Sequence, residues 1–223
     1  MAIIYHKELI QGGDDWLAMR CGLLTASEMK LIITPTLKIA NNEKQTAHLY
    51  NIVAQRITKH IEPAYISDDM LRGQDEEEYA KEAYRKHYAS VEDCGFITND
   101  GGGFVIGASP DGLVGDDGLV EVKSRRAKFQ IETILSERMP DEYMIQVQTL
   151  LLVSGRKWCD FISYSGGLPM KIIRIEPDAR IQEAIVIAAT AFEEKVAHCM
   201  VQWEDKIKDL IPTERKVEQE IYL

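Results

Sequence analysis

The segment Leu119-Val120-Glu121-Val122-Lys123 alternates apolar and charged side chains. In a strand, successive side chains point to opposite faces, so Glu121 and Lys123 share one face and Val120 and Val122 the other. A carboxylate and an ammonium beside β-branched residues are costly unless they are paired or put to use. The plain structural reading is an edge strand with a solvated Glu–Lys pair. Asp111 shifts the balance. It lies in Ser109-Pro110-Asp111-Gly112, after the apolar run Phe104 to Ala108. If that run and the strand at 119–123 pair across the turn Asp116-Asp117-Gly118, Asp111 approaches Glu121. Two close carboxylates repel each other unless a divalent cation lies between them, and oxygen ligands of this kind suit Mg²⁺ or Mn²⁺. Lys123 would orient or deprotonate a water, or stabilise charge building on a phosphoryl oxygen. The bland alternative for Pro-Asp-Gly is an ordinary turn.

These residues need a frame. Helical patterns run over Asp14 to Arg20, Glu43 to about Lys59, about Asp69 to Ala89, Asp141 to Val153 and about Asp178 to Asp209. Strands are expected at Phe104 to Ala108, Leu119 to Lys123, Asp160 to Ser165 and Met170 to Glu176, the last two joined by Gly166-Gly167-Leu168-Pro169. Thr34 to Asn42 reads as a loop, and the charged tail Ile211 to Leu223 has no assigned place. Helices around a central set of strands make the class α/β or α+β, with a central mixed sheet flanked by helices. Thr25-Ala26-Ser27-Glu28 matches a capping box that opens a helix. Its free N–H groups would favour an anion, Ser27 adds a hydroxyl, and Arg20 can fork onto a phosphate. The competing reading is a plain cap and a surface arginine.

Composition narrows the classes. The 223 residues suit one domain over 1–223; 45% are hydrophobic and 28% charged, as in soluble proteins. No stretch approaches a membrane span and no signal peptide is visible, so a cytoplasmic location without membrane contact is expected. Cys21, Cys94, Cys159 and Cys199 are widely spaced, which disfavours zinc or iron–sulfur ligation and favours reduced, mostly buried thiols. The net charge of −10 disfavours a generic nucleic-acid binder but allows local phosphate contacts. Lys123, Arg125, Arg126 and Lys128 form a cationic cluster, which on its own is as readily a solvated surface.

Asp111 followed by Glu121-Val122-Lys123 fits the PD-(D/E)xK nuclease pattern, which is loose by itself. The longer string Ala108-Ser109-Pro110-Asp111-Gly112-Leu113 resembles the bacteriophage lambda exonuclease family, the YqaJ-type viral recombinases. Three further motifs follow the family's order. Gly12-Gly13-Asp14-Asp15-Trp16 to Arg20 with Gly22 to Glu28 looks like its N-terminal motif. Gly73, Glu77, Ala80 and Tyr84 match its G-x-x-x-E helix, and Tyr143 to Gln148 resembles its Q-x-Q helix. Together they span residues 12 to 153.

The resemblance implies a PD-(D/E)xK nuclease-like fold and a 5′→3′ exonuclease acting on double-stranded DNA ends. Such an enzyme digests one strand to mononucleotides and leaves a 3′ single-stranded overhang for recombination. Asp111, Glu121 and the main-chain carbonyl of Val122 would bind Mg²⁺, with Mn²⁺ as a substitute. Lys123 and Glu77 would prepare the water. Spacing from Gly73 favours Glu77, whereas helical periodicity alone does not separate it from Glu76. Arg20, Ser27, Ser109 and Gln146 would line a pocket for the terminal 5′-phosphate, and Trp16, Thr25, Tyr143, Arg125 and Arg126 are expected DNA contacts. Gln146 lies on an apolar stripe and needs a hydrogen-bond partner, either an internal backbone group or, on the functional reading, a phosphate or the water network. The family also implies a ring-shaped homotrimer enclosing DNA and a single-strand annealing protein as partner. The alternatives are a PD-(D/E)xK endonuclease, a RecB-like repair nuclease, and a non-enzymatic DNA-end-binding scaffold. A requirement for DNA ends separates exonuclease from endonuclease. The missing cysteine cluster weakens the iron–sulfur branch, and the presence of Asp111, Glu121 and Lys123 together weakens the scaffold.

Overall fold

The computed structural model describes residues 2–62 and 68–215. In chain order the elements are β1 (Ile3–His6), α1 (Asp14–Arg20), β2 (Leu24–Thr25), α2 (Glu43–Thr58), α3 (Asp68–His87), β3 (Phe96–Asn99), β4 (Ile106–Ala108), β5 (Gly112–Val114), β6 (Gly118–Ser124), α4 (Ala127–Ser136), α5 (Met144–Ser154), β7 (Trp158–Tyr164), β8 (Lys171–Ile175) and α6 (Ala179–Lys206). Two of the helices start where the sequence supplies a side-chain cap. Asn42 Oδ1 accepts from the Gln45 amide at 3.0 Å to open α2, and Asp178 Oδ1 accepts from the Arg180 and Ile181 amides to open α6. Among the described residues no helix is long and apolar enough to cross a membrane.

The fold is mixed α+β, as expected, but the strands form two four-stranded sheets. Their orders are β1-β3-β4-β2 and β5-β6-β7-β8. Each is mixed, with one parallel pair, β2–β4 in the first and β6–β7 in the second. The expected pairing of 104–108 with 119–123 is therefore corrected. β6 pairs with β5, Gly112 opposite Val120, while β4 pairs with β2 and β3. The chain leaves the first sheet at Ala108 and enters the second at Gly112, and Asp111 sits in that crossing. Gly112 permits it: a Cβ there would lie 2.2 Å from Val91 Cγ1, so a larger residue would push the crossing away.

β6 also proves to be an interior strand between β5 and β7, which removes the edge-strand reading of the Glu–Lys pair. Its two faces bury different things. Val120 and Val122 pack with Ala80 and Tyr84 of α3 and Ile162 of β7. Leu119 joins the larger core with Phe161, Ile145, Val147 and Phe192, a core that also takes in Ile97 and Ala108 from the first sheet.

Two local expectations also change. Thr25 to Glu28 opens no α-helix; only a 3-10 turn, Met29–Leu31, follows. Thr25 Oγ1 instead donates to Glu28 Oε2 at 2.6 Å, so the two side chains that would cap a helix satisfy each other. The expected helix from Asp141 begins as a 3-10 turn, Asp141–Tyr143, before α5 proper. All four cysteines are free; Cys94 and Cys159 are buried, and Cys21 and Cys199 are partly exposed.

Candidate active site

The period-2 pattern of β6 places Glu121 and Lys123 side by side. Lys123 Nζ donates to Glu121 Oε1 at 2.5 Å, and Glu121 is 1% exposed. Gln146 Nε2, from the first turn of α5, donates to the same oxygen at 2.6 Å. Gln146 thus finds a carboxylate partner in place of the internal backbone bond that was one expectation. The other oxygen, Glu121 Oε2, is buried without a hydrogen-bond partner. A buried carboxylate oxygen without a donor is uncommon.

Asp111 meets β6 from the crossing between the sheets. Its Oδ2 accepts from the Val122 amide at 2.6 Å. A strand residue's N–H and C=O leave by the same edge, so the Val122 carbonyl also lies on the Asp111 side. Burial, then the Glu121 charge, push the Asp111 carboxyl up to about 7. Burial also raises Glu121, against the pull of Lys123. Lys123 is itself held in its ammonium form: the charges of Glu121 and Asp111 outweigh its own burial. Two acids and one base thus share one site, in which Glu121 is buried while Asp111 and Lys123 are half-buried.

Glu77, on α3, completes the group. Burial and the Asp111 charge bring its carboxyl to about 7. Glu76 points elsewhere, accepting from Ser124 Oγ at 2.5 Å and from the Gly166 amide at 3.2 Å. The ambiguity of helical spacing is therefore resolved by position, and Glu77 is the one beside Asp111. Lys81, which no sequence motif marks, joins the group. Its Nζ lies 3.3 Å from Glu77 Oε1, 3.1 Å from Glu78 and 3.4 Å from Asp93, and the residue is 8% exposed. The i,i+4 spacing from Glu77 was the available signal. Glu77, Lys81 and Asp111 line a cleft of about 770 Å³ together with Trp16, Gln11 and Gln74.

On the α5 side lies a much smaller cavity of about 40 Å³, bounded by Arg20, Thr25, Ala26, Ser27, Phe96, Ser109 and Gln146. All four residues expected to hold a terminal phosphate thus meet at one place. A water needs about 10–15 Å³ by such a measure, so there is room for a group of roughly three waters. Arg20 is braced: its guanidinium lies 4.3 Å over the Trp16 ring and 3.9 Å from Glu28. Trp16 Nε1 donates to Ser109 Oγ at 3.0 Å, tying the N-terminal motif to the crossing segment. The turn after Arg20 is fixed from behind, where Arg56 Nε donates to the Gly22 carbonyl at 2.8 Å while its two Nη groups grip Glu193.

The cationic cluster is not one solvated patch. Lys123 belongs to the carboxylate site, and Arg125 is buried, donating to Tyr143 Oη at 3.0 Å and Glu142 at 3.3 Å. Arg126 and Lys128 are exposed at the start of α4, a helix the sequence reading did not foresee. Arg125, Arg126 and Tyr143 line a separate cleft of about 250 Å³. Of the other expected DNA contacts, Trp16 borders the large cleft and Thr25 the small cavity.

Among the described residues no group of three or more His, Cys, Asp or Glu side chains is placed to hold a metal ion. Asp111, Glu121 and the Val122 carbonyl make a sparse oxygen set, and the unpartnered Glu121 Oε2 fits a hard cation that keeps several waters.

The YqaJ-like viral recombinase domain matches residues 15–157, the span that holds nearly all of these motifs. The crystal structure of an alkaline exonuclease from Laribacter hongkongensis aligns with a TM-score of 0.79 and 30% identity, covering 89% of this chain and 100% of that one. The same exonuclease in complex with dAMP aligns with a TM-score of 0.79 and 31% identity over the same shares. A phage-related exonuclease from Haemophilus somnus 129PT shares the fold, with a TM-score of 0.58 and 10% identity over 81% of this chain and 96% of that one. A search of the curated proteins finds no match. With its motifs inside the matched domain and a 30%-identical relative aligned over that relative's whole length, the chain belongs to the YqaJ-like viral recombinases, the lambda exonuclease family of nucleases.

Proposed function

We propose that this chain is a divalent-cation-dependent 5′→3′ exonuclease, folded as one domain over 1–223, that digests one strand of duplex DNA from a 5′-phosphorylated end. The observation that carries this reading is the juxtaposition of two sites through one residue. Gln146 lines the small cavity and also touches Glu121 of the carboxylate cluster. A cavity of that size takes a terminal phosphate group and has no room for continuous backbone, which favours an exonuclease over an endonuclease.

Asp111, Glu121 and the Val122 carbonyl would hold Mg²⁺, or Mn²⁺ in its place. The cation would activate water and offset charge on the phosphoryl and leaving oxygens. The chain's own groups divide the remaining work. Lys123, an ammonium fixed by Glu121, faces negative charge as it builds on the phosphate. Glu77, poised near neutrality, orients the attacking water and accepts its proton, and Lys81 holds Glu77 in place. Arg20, Ser27, Ser109 and Gln146 grip the 5′-phosphate, which sets the scissile bond one nucleotide away. The products are mononucleotides and a 3′ overhang. The complex of the Laribacter hongkongensis exonuclease with dAMP, a mononucleotide, supports that product class.

Trp16, Thr25, Tyr143, Arg125 and Arg126 would contact the DNA. A homotrimeric ring enclosing the duplex explains how a chain of net charge −10 stays on DNA, since topology replaces a dense basic face. A single-strand annealing protein would take up the overhang, and the setting is the cytoplasm. The test compares linear duplexes with 5′-phosphate and 5′-hydroxyl ends against a closed circle, in Mg²⁺ and in EDTA, beside Lys123→Ala. Loss of the phosphorylated linear DNA in Mg²⁺ alone, with the circle intact and the variant inactive, is the expected result. Equal nicking of the circle would overturn the exonuclease assignment, and no cleavage with any divalent cation would favour a DNA-end-binding scaffold.

A further inference from the structure

Gln146 spans both sites, and its amide geometry has a direction. Lys123 Nζ, which can only donate, lies on the same Glu121 oxygen as the Gln146 amide. That oxygen is therefore an acceptor for both, and the Gln146 atom facing it is the NH₂ group. An amide nitrogen carries two hydrogens. One is committed to Glu121, and the other is available to an acceptor in the cavity that Gln146 lines.

The consequence falls on Glu121. Two donors converge on Oε1, and the buried Oε2 is left without a partner. Gln146 thus helps decide which oxygen stays open. α5 cannot drift to accommodate it, because Val147, Leu150, Leu151 and Val153 are buried in the main core. A ligand that draws on the second N–H therefore acts on a short, stiff connection.

Resting on the exonuclease reading above, we propose that Gln146 is a positioning residue that couples the cavity to Glu121, so that a divalent cation binds more tightly when a 5′-phosphate is seated. The phosphate holds the amide, the amide holds Oε1, and Oε2 is presented. An end lacking the phosphate leaves this connection slack. The coupling is reciprocal: the cation tightens the grip on the phosphate by the same factor.

The test measures Mn²⁺ binding by the electron paramagnetic resonance of free Mn²⁺, without turnover. The protein is saturated with phosphorothioate-protected duplex carrying a 5′-phosphate or a 5′-hydroxyl. In the wild type the phosphorylated end lowers the Mn²⁺ dissociation constant by about 5–20-fold. Gln146→Met, similar in length and well tolerated in helices, brings that ratio to about 1. Gln146→Glu does the same without shortening the side chain. An unchanged ratio in both Gln146 variants, with thermal melts confirming that they are folded, would overturn the coupling. A wild type that prefers phosphorylated ends in digestion yet shows a ratio of 1 would overturn it while leaving the exonuclease reading intact. A wild type that neither digests DNA nor distinguishes the ends would remove both.

Discussion

Two carboxylates lie buried on adjacent strands of the second sheet, Glu121 on β6 and Asp160 on β7, pointing to opposite faces. Asp160 is fully satisfied. Arg174 donates to both of its oxygens at 2.8 Å, and Tyr84 Oη adds a bond of 2.6 Å. The guanidinium of Arg174 in turn lies 3.7 Å over the Trp158 ring. Glu121 receives both of its donors on one oxygen and has none on the other. A carboxylate that serves the fold is closed by fixed partners, and this one pins α3 to β7 and β8. Glu121 keeps one buried oxygen without a hydrogen-bond partner, and on the proposed reading that is where the cation would bind.

The largest effect should come from closing that position. Glu121→Gln keeps shape and removes charge; nuclease activity should fall by about 10³-fold or more, with little change in melting temperature. Activity within tenfold of the wild type would erase the distinction between the two carboxylates. Next comes the cavity on the same face. Arg20→Ala should lower the preference for 5′-phosphorylated over 5′-hydroxyl ends by about 10–100-fold, the range of a charge-assisted contact, in initial-rate assays.

Asp160→Asn should behave in the opposite sense. It turns one acceptor oxygen into an NH₂ donor facing Arg174 or Tyr84 and removes the countercharge of Arg174, and should cost about 1–3 kcal/mol, discounted because Arg174 is half exposed. The melting temperature should drop by roughly 2–12 °C, with activity per folded molecule retained. The smallest effect concerns Asp111 and Glu77, whose carboxyls are raised to about 7. Between about pH 4 and 7 the native state binds more protons than the unfolded one, so the metal-free protein loses stability as pH rises through that window. Asp111→Asn should therefore raise the melting temperature in EDTA at pH 8 by roughly 2–8 °C, about 1–2 kcal/mol, and by much less at pH 4. A gain as large at pH 4 would mean that the charge is not the cause.

What the sequence disclosed followed from local rules. The face shared by Glu121 and Lys123 comes from the period of a strand, and helices such as α2 and α6 show their apolar spacing and caps. Other features depended on partners distant in sequence. β1 and β3 are four-residue strands, too short to show a period, and they pair with each other across some ninety residues. α4 was hidden by the cations that precede and enter it. Thr25 and Glu28 stood at capping-box spacing, yet their side chains bond to each other because only a 3-10 turn follows. The strand that meets β6 was misassigned because Pro110-Asp111-Gly112 carries the chain from one sheet to the other instead of returning it. The partner of Gln146 could not be read either, since Glu121 is brought to it only by packing α5 against the sheet.

The most direct test of an open carboxylate site is calorimetric titration of Mn²⁺ into the metal-free protein at pH 7, without DNA, for the wild type, Glu121→Gln and Asp160→Asn. The wild type and Asp160→Asn should bind with the same affinity and release protons, because the raised carboxyls ionise as the cation enters, and Glu121→Gln should show no binding. If Glu121→Gln binds Mn²⁺ as the wild type does, the unpartnered Oε2 is not a ligand position and the site described here does not hold the cation.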